Sequence, residues 1–400
     1  MLPGKYVVLG VTGSIAIHRA VDLASKLTQE GALVDVILTR AAQQFITPLT
    51  FRSLTHRPVV TDMFDPESEL SVEHVRLAER ADVVLVAPAS AHLIARAALG
   101  LADDMLTTTM LATKAPMVIA PAMNVNMWEN PATQRHVATL RERGVTFAGP
   151  VHGRLATGLV AMGRLAEVDE ILGTVKLVVG RKGDLAGKRV VVTAGGTQEP
   201  IDAVRVITNR SSGKMGYALA EAARDRGAAV TLVTTPTALP PPVGANVVRV
   251  RTAGEMREAV LTAIQAADVL LMAAAVADYR PAEAIASKIK KEAADKLVLP
   301  LVRTADILAE VPHTLLKVGF AAEPGNTLLE RAREKVRRKD LDLIVANDIT
   351  ATDSGFEVDT NRVVLIDRQD QADELPLMSK YQVAHKILDR VVGLLKTPER

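Results

Sequence analysis

The chain has 400 residues, 48% of them hydrophobic, which exceeds a usual single domain of about 100–200 residues and predicts two domains with separate cores. Its net charge of +2 and aromatic content of 3% argue against a nucleic-acid partner, and no apolar run reaches the roughly 18 residues that cross a membrane. Cysteine is absent, which excludes disulfides, thiolate metal sites and a cysteine nucleophile.

Apolar strands alternate with amphipathic helices in the first half of the chain. The apolar runs predict strands over Tyr6–Val11, Leu33–Leu38, Val83–Ala87 and Met117–Ala120, and helical spacing predicts a first helix over Ser14–Glu30. Strands that are apolar throughout and separated by helices favour a parallel sheet that is covered on both faces. We therefore predict an α/β domain with a Rossmann-like parallel sheet over residues 1–180.

A charged, glycine-rich segment, residues 180–189, is interpreted as a linker. The alternation then restarts, which predicts a second Rossmann-like α/β domain over residues 187–400. Its predicted strands are Arg189–Ala194, Ala229–Thr234, Asn246–Val250, Val269–Ala274, Val318–Ala321 and Leu343–Ala346. Its predicted helices are Gly213–Arg226, Gly254–Ala266, Asn326–Lys339 and Ser379–Leu395. Residues 357–367 are predicted to form a hairpin that turns at Asp359–Asn361.

A glycine-containing turn, Gly10–Ser14, joins the first predicted strand to the first helix. Ser14 is predicted to cap that helix, and the backbone N–H groups of the turn are suited to hold a phosphate. Because the turn lacks the Gly-x-Gly-x-x-Gly pattern, it does not establish a dinucleotide site, and a plain turn without a ligand stays open. Ligands of open parallel sheets bind beyond the carboxyl ends of the strands, where the small-residue loops Pro88–Ala91 and Pro121–Asn124 lie.

Several segments of the first half together carry a resemblance to a known family. They are Thr12–Ala16, Met63 and Phe64 leading to His74, Ala87–Ala91, Gly100–Asp104 and Pro121–Asn124. In this combination, residues 5–172 resemble the homo-oligomeric flavin-containing cysteine decarboxylases, and among them the phosphopantothenoylcysteine decarboxylases. The resemblance implies a flavodoxin-like domain that binds FMN.

The same resemblance implies roles for individual residues. His74 matches the active-site histidine, a residue type that exchanges protons near neutral pH. Asn124 matches the asparagine that orients the substrate carboxylate with a neutral amide. The implied reaction transfers a hydride from the substrate's cysteine side chain to FMN, and the carboxylate then leaves because its electron pair delocalises into the sulfur-bearing group. A surface histidine and a turn-forming asparagine are the alternative interpretation. The implied flavin contacts are Gly13, Ser14, Thr39, Ala89, Ser90 and Met123.

The stretch Leu155–Leu165 matches the family's flap over the substrate but departs from it. Thr157 takes the catalytic position of a cysteine that is thought to supply a proton, and Ala161 replaces a glycine. A threonine hydroxyl is too weak an acid to substitute directly, so another donor such as His152 or a water, release of an incompletely reduced product, or loss of the first activity all stay open. We expect an active decarboxylase with another donor. His92 replaces an asparagine that borders the flavin in the family.

The second half opens with an arrangement that is typical of anion binding. A glycine turn, Gly195–Thr197, follows the first predicted strand, and the small-residue loop Asn209–Gly216 opens a helix whose N-terminus is suited to a phosphate. Met215 follows Lys214, so the P-loop pattern Gly-x-x-x-x-Gly-Lys-Ser/Thr is not satisfied.

Residues 187–395 resemble the phosphopantothenate–cysteine ligase domain. The shared segments are Gly195–Asp202 with Val204 and Arg205, Asn209–Gly216, Ala273–Tyr279, Lys288–Lys291, Gly319–Glu323 and Asn347–Ile349. The resemblance implies that the carboxylate of 4′-phosphopantothenate attacks the α-phosphate of CTP and releases pyrophosphate, after which the amine of L-cysteine displaces CMP. Both steps need neutralised phosphate charge, which implies lysines and Mg²⁺.

Individual ligase residues are implied in the same way. Lys288 matches the lysine that acts on the nucleotide and the acyl-cytidylate, and Asn209 matches the asparagine that contacts the pantothenate. Lys335 and Lys339 lie four residues apart, which predicts one helix face; ion pairs with Glu330 or Glu334 are the alternative interpretation. The implied nucleotide contacts are Asp278, Lys288, Ala305, Asp306, Ile307, Leu308, Phe320, Lys335 and Lys339. The metal ligands stay unknown.

Together the two resemblances imply a bifunctional enzyme of coenzyme A biosynthesis that makes 4′-phosphopantetheine from 4′-phosphopantothenate, L-cysteine and CTP. Because no apolar run is long enough to cross a membrane, we expect a cytoplasmic location. They also imply a homo-oligomer, with a trimer-based dodecamer formed by the flavin domains and a dimer formed by the ligase domains. An active ligase with an inactive or regulatory flavin-binding half, and an NAD(P)-linked oxidoreductase, are the alternatives. The choice between CTP and ATP stays open.

Overall fold

The computed structural model describes residues 2–64, 72–289, 297–348 and 358–396. The chain divides into two compact units, Met1–Gly180 and Arg181–Arg400. Four residues of the sequence interpretation lie outside the described ranges, namely Lys290, Lys291, Ile349 and Glu357.

The first unit alternates strands and helices along the chain. Its strands are β1 (Tyr6–Val11), β2 (Leu33–Leu38), β3 (Val59–Val60), β4 (Val83–Ala89), β5 (Met117–Pro121), β6 (Thr146–Phe147), β7 (Val151–Arg154) and β8 (Val160–Arg164). Its helices are α1 (Ile17–Gln29), α2 (Pro48–Thr55), α3 (Glu73–Arg80), α4 (Ala91–Leu99), α5 (Met105–Ala112), α6 (Val125–Glu129), α7 (Pro131–Glu142) and α8 (Val168–Gly180).

The second unit repeats this alternation. Its strands are β9 (Arg189–Ala194), β10 (Gln198–Pro200), β11 (Val206–Thr208), β12 (Ala229–Thr234), β13 (Asn246–Arg249), β14 (Val269–Met272), β15 (Tyr279–Pro281), β16 (Leu301–Arg303), β17 (Leu316–Glu323), β18 (Leu343–Asp348), β19 (Thr360–Asp367) and β20 (Ala372–Ser379). Its helices are α9 (Lys214–Arg224), α10 (Ala253–Ala263), α11 (Ile307–Glu310), α12 (Leu328–Lys339) and α13 (Lys380–Lys396).

The central sheet of the first unit is parallel, in the order β3-β2-β1-β4-β5-β6. Alternate residues of β1 enter different cores, because Leu9 packs with α1 and α8 whereas Val8 packs with α4, α5 and α7. The predicted α/β class with a covered parallel sheet is confirmed. The strand order is that of a Rossmann fold and differs from the flavodoxin order 2-1-3-4-5.

The main sheet of the second unit has the order β13-β12-β9-β14-β17-β18-β19-β20. Six strands of this sheet are parallel, namely β13, β12, β9, β14, β17 and β18. Strand β19 pairs antiparallel with β18, and β20 pairs antiparallel with β19. Taken in chain order, the parallel strands repeat the arrangement of the first unit. In both sheets the strand order reverses at the first strand, between β1 and β4 and between β9 and β14, where an open α/β sheet binds its ligands.

Three local predictions are wrong. Residues 360–367 form one strand instead of a hairpin, and the turn lies at residues 368–371, where the Asp367 carboxylate accepts hydrogen bonds from the N–H groups of Gln369 and Gln371. Ser14 does not cap α1, because the helix begins at Ile17 and Ser14 instead accepts the N–H of Ala16 at 3.3 Å. The predicted linker, residues 180–189, contains the boundary between the units after Gly180 but is wrong in its later part, since Leu185 is buried in the core of the second unit.

Candidate functional site

The six residues that the sequence links to a flavin all lie at the carboxyl ends of adjacent strands of the first sheet. Gly13 and Ser14 follow β1, Thr39 follows β2, Ala89 and Ser90 lie at the end of β4, and Met123 follows β5. Hydrogen bonds join these loops: the hydroxyl of Thr12 donates to the carbonyl oxygen of Pro88 at 2.7 Å and accepts the N–H of Ser90 at 3.0 Å. The loops therefore form one connected surface at the switch point of the sheet, the place between β1 and β4 where the strand order reverses.

A cavity of about 800 Å³ opens beside these loops. Ser14 and Met123 line it, whereas Gly13, Thr39, Ala89 and Ser90 lie outside its lining. Cationic side chains also line it, since Arg19, Arg154 and Arg164 contribute to its wall. Glu167 pairs with two of these arginines, at 2.9 Å from Arg19 and 2.6 Å from Arg164. A cavity of this size and charge suits an anionic organic ligand.

Asn124 and Thr157 line the same cavity from different elements. Asn124 precedes α6, and its side-chain oxygen accepts the N–H of Asn126 at 2.9 Å, so part of its role is to cap that helix. Thr157 is exposed in the turn between β7 and β8. The N–H of Met123 donates to the carbonyl oxygen of Gly163 at 2.9 Å, which anchors this hairpin to the loop after β5.

The two histidines considered as proton donors lie apart from that cavity lining. His74 is half-buried on α3, a helix that packs against α5. His152 is exposed on β7. Within one chain, then, the structure groups Asn124 with Thr157 and keeps both histidines separate from them.

The switch point of the second sheet brings two predicted segments together. The N–H of Ala275 donates to the carbonyl oxygen of Gly195 at 2.8 Å, and the N–H of Thr197 donates to the carbonyl oxygen of Ala275 at 3.2 Å. The Thr197 hydroxyl accepts the N–H of Ala277 at 2.9 Å. The glycine turn after β9 therefore supports the loop after β14, which leads to Asp278.

A cavity of about 950 Å³ lies beside this loop and collects most of the predicted nucleotide contacts. The predicted residues in its lining are Asp278, Ala305, Asp306, Ile307, Leu308, Phe320, Lys335 and Lys339. They come from the loop after β14, from α11 and the residues before it, from β17 and from α12. Residues this far apart in sequence meet in one cavity because parallel strands present their carboxyl ends at one edge.

Lys335 and Lys339 face this cavity from one side of α12, as their spacing predicts. The ammonium group of Lys335 donates to the carbonyl oxygen of Phe320 at 2.8 Å, and Lys339 forms an ion pair with Asp306. Burial lowers the pKa of both lysines below the ordinary value, and the carboxylate of Asp278 opposes that shift. An anion that enters the cavity would stabilise both charged forms.

Lys288 and Asn209 lie outside this lining. Lys288 is exposed in the segment after β15. Asn209 follows β11, and its side-chain amide donates to the carbonyl oxygen of Val276 at 3.2 Å. Val276 itself lines the cavity, so Asn209 contacts the wall of the predicted nucleotide site without lining it.

Comparison with known proteins gives the same division of the chain. The family model for a flavoprotein matches residues 1–180, and the model for the DNA/pantothenate metabolism flavoprotein C-terminal domain matches residues 185–395. The chain is 45% identical over 407 residues to the coenzyme A biosynthesis bifunctional protein CoaBC of Bacillus subtilis (strain 168), covering 100% of both chains. It is 44% identical to the protein of the same name from Mycobacterium tuberculosis (strain H37Rv), covering 98% of this chain and 97% of that one.

The chain belongs to the family of coenzyme A biosynthesis bifunctional proteins. It is thus an enzyme with a flavoprotein unit and a pantothenate-metabolism unit, and the oxidoreductase alternative has no support. A solved C-terminal domain of a CoaBC protein is 43% identical, with a TM-score of 0.45, covering 52% of this chain and 96% of that one. In the described part of this family member, no helix is long and apolar enough to span a membrane.

Several residues at the two sites of this family member were missed by the sequence analysis. Arg331 and Arg338 line the 950 Å³ cavity from α12, and Arg303 lines it from β16. The spacing of Arg331, Lys335 and Arg338 by one helical turn is the signal that would have found the first two. Arg154 beside the flap had no such signal, because a single arginine on a short strand is usually a surface residue.

Proposed function

We propose that the second unit ligates 4′-phosphopantothenate to L-cysteine at the expense of CTP, and that the first unit decarboxylates the product with FMN to give 4′-phosphopantetheine. The observation that carries this proposal is the 950 Å³ cavity, which gathers eight predicted nucleotide contacts from four separate parts of the chain. Family membership over the full length supports both activities. The domain limits of the proposal are residues 1–180 and 187–400.

In the proposed ligation, the substrate carboxylate attacks the α-phosphate of CTP and pyrophosphate leaves. The amine of L-cysteine then attacks the resulting acyl carbon, and CMP leaves as the amide bond forms. Lys335 and Lys339 would neutralise phosphate charge, and Lys288 would act on the acyl-cytidylate. The described residues hold no group of three or more His, Cys, Asp or Glu that could bind a metal. Mg²⁺ would be bound through the triphosphate of CTP.

The loops at the carboxyl ends of the first sheet's strands fit FMN, since their backbone N–H groups suit a phosphate and a cavity of about 800 Å³ opens beside them. The residues that would hold it are Gly13, Ser14, Thr39, Ala89, Ser90 and Met123. The flavin, when bound, supplies hydride acceptance from the substrate's cysteine side chain. The amide of Asn124 would orient the carboxylate that leaves as carbon dioxide. Thr157 occupies the position of the family's proton-donating cysteine.

The proposal includes a homo-oligomer in the cytoplasm, a trimer-based dodecamer through the flavin units and a dimer through the ligase units. A complete decarboxylase site needs a histidine, and His74 on α3 lies apart from the cavity that holds Asn124 and Thr157. We infer that a second copy supplies His74 to this cavity.

Thr157 favours one second candidate, an active ligase whose first unit binds a flavin without completing decarboxylation. The hydroxyl of Thr157 is a far weaker acid than the thiol it replaces. Supplying 4′-phosphopantothenoyl-L-cysteine directly and following carbon dioxide release separates the two candidates, because a regulatory flavin unit releases none.

The ligase is tested by measuring pyrophosphate release from CTP with and without 4′-phosphopantothenate, and with ATP in parallel. We expect release that needs 4′-phosphopantothenate, is faster with CTP than with ATP, and precedes a slower CMP release that needs L-cysteine. Pyrophosphate release without the carboxylate substrate, or none with either nucleotide, would contradict the proposed ligation.

A further inference from the structure

A hairpin formed by β10 and β11 projects beside the loop that carries Lys288. The two strands pair antiparallel, and their connecting turn is closed by the N–H of Ile201, which donates to the carbonyl oxygen of Arg205 at 2.9 Å. The hairpin is fixed to the body of the second unit at Glu199, which is 1% exposed and accepts the N–H of Ala253 at 2.8 Å. The hairpin is therefore anchored to the body of the second unit by a buried side chain.

Asp202 lies at the tip of this hairpin, and its side chain is fully buried. One carboxylate oxygen accepts the N–H groups of Val204 at 2.9 Å and Arg205 at 2.8 Å. The other accepts the guanidinium of Arg205 at 2.9 Å and the N–H of Ile289 at 3.1 Å. These hydrogen bonds, that from the Arg205 side chain foremost, hold the pKa of Asp202 well below its usual range.

Ile289, the residue after Lys288, is thus held at both its backbone N–H and its backbone C=O. Asp202 accepts the N–H of Ile289, and the guanidinium of Arg205 donates to the carbonyl oxygen of Ile289 at 3.0 Å. A third bond fixes the loop before the lysine, because the N–H of Ile285 donates to the carbonyl oxygen of Ile201 at 3.1 Å. The hairpin brackets Lys288 on its two flanks.

The other end of the same hairpin reaches the nucleotide cavity. Asn209 follows β11 and donates to the carbonyl oxygen of Val276, which lines that cavity. Gly196 lets Asn209 approach closely, since a Cβ atom at Gly196 would lie 2.7 Å from the carbonyl oxygen of Asn209. The β10–β11 hairpin therefore contacts both the loop that carries the exposed Lys288 and, through Asn209, the loop of Val276 that lines the 950 Å³ cavity.

We propose that Asp202 is a positioning residue for Lys288: with Arg205 it fixes the Ile289 peptide and so sets where the lysine ammonium group lies during ligation. The inference rests on the proposed ligase function. A long lysine side chain on an exposed loop samples many positions, and fixing its backbone removes part of that freedom before the reaction. Misplacement of a reacting group by about 1 Å costs on the order of a hundredfold in rate.

The test compares Asp202→Asn with a matched control in the full-length protein. The asparagine side chain keeps the size of Asp202, but it removes the negative charge and replaces one of the two accepting oxygens with an NH₂ donor. We expect ligation to slow by roughly tenfold to a hundredfold in kcat, with the CTP dissociation constant unchanged within about twofold and flavin content unchanged. The control Asp184→Asn breaks another ion pair of the second unit, with Arg226, and should keep ligation within about twofold of the parent.

A double variant separates positioning from a general structural role. If Asp202 acts through Lys288, Asp202→Asn has no further effect on ligation once Lys288→Ala is present. An additional loss in the double variant equal to that of Asp202→Asn alone would overturn the proposal, as would normal kcat in Asp202→Asn. Should Asp202→Asn fail to fold, Arg205→Met tests the same peptide clamp from a half-exposed position. Absence of ligation in the parent protein would refute the proposed function itself.

Discussion

Lys335 and Phe320 are joined by a hydrogen bond of 2.8 Å between the lysine ammonium group and the phenylalanine carbonyl oxygen. This bond ties α12 to β17 at the 950 Å³ cavity, and it holds a partly buried positive charge at the space where the proposed triphosphate would lie. The lowered pKa of Lys335 reflects the cost of burying that charge.

Replacing Lys335 by methionine should weaken CTP binding by roughly tenfold to a hundredfold, since a hydrogen bond to a charged group contributes about 1.5–3 kcal/mol. Calorimetric titration with CTP measures the effect. Arg337→Met is the matched control, because Arg337 is exposed on the same helix and lies outside the cavity lining. Equal affinities in the two variants would remove Lys335 from the nucleotide site.

Asn124 combines two roles that one substitution can separate. Aspartate caps a helix as well as asparagine does, so Asn124→Asp should keep the thermal stability of the parent. Its negative charge would repel the substrate carboxylate, and we expect decarboxylation of 4′-phosphopantothenoyl-L-cysteine to fall by about a hundredfold or more. Carbon dioxide release and thermal unfolding are the two measurements. Loss of stability with retained decarboxylation would leave Asn124 as a helix cap alone.

Thr157→Cys restores the residue type that the decarboxylase family has at this position. A thiol is a much stronger acid than a hydroxyl, so the variant should form fully reduced 4′-phosphopantetheine faster than the parent, as followed by mass spectrometry of samples taken over time. Ala156→Cys is the matched control, because Ala156 lines the same cavity next to Thr157. If Thr157→Cys and the parent form this product at the same rate, the proton comes from elsewhere and residue 157 has no part in its transfer.

The burial of His385 makes the stability of the second unit depend on pH. It is 7% exposed on α13, and neither ring nitrogen has a hydrogen-bond partner among the described residues. Burial, helped by the charge of Arg226, lowers the pKa of His385 to about 4, and the carboxylates of Asp225 and Asp389 oppose the shift. In the unfolded chain the imidazole of His385 is protonated near pH 6.5. Between pH 6.5 and pH 4 the unfolded state therefore binds more protons than the folded state, and the free energy of unfolding falls as the pH drops through this range.

The expected loss is about 3 kcal/mol over that range, and His385→Leu should remove it. Amide hydrogen exchange in α9 and α13 measures the stability of this unit by itself. A His92→Leu variant, altered at an exposed position of the first unit, should keep the parent profile. An unchanged acid response in His385→Leu would contradict the assignment.

Buried strands were predictable to the residue where apolar runs are continuous, as in β1, β2, β9 and β12. The edge strand β20 was missed because its sequence is polar and contains Pro376, which an edge strand tolerates. That omission shifted the predicted hairpin. The geometry of the sites was harder to predict from the sequence. The residues of the 950 Å³ cavity were predicted only through the family resemblance. The hydrogen bond from Ile289 to Asp202 had no sequence signal, because it joins residues 87 positions apart.

The most direct test of the whole account is mass spectrometry of the products after the flavin-loaded protein has turned over 4′-phosphopantothenate, L-cysteine and CTP with Mg²⁺. 4′-Phosphopantothenoyl-L-cysteine alone would mean an inactive flavin unit, and a product lighter than 4′-phosphopantetheine by two hydrogen atoms would mean incomplete reduction. We predict 4′-phosphopantetheine together with CMP and pyrophosphate. Unconsumed CTP with only the starting substrates recovered would contradict it.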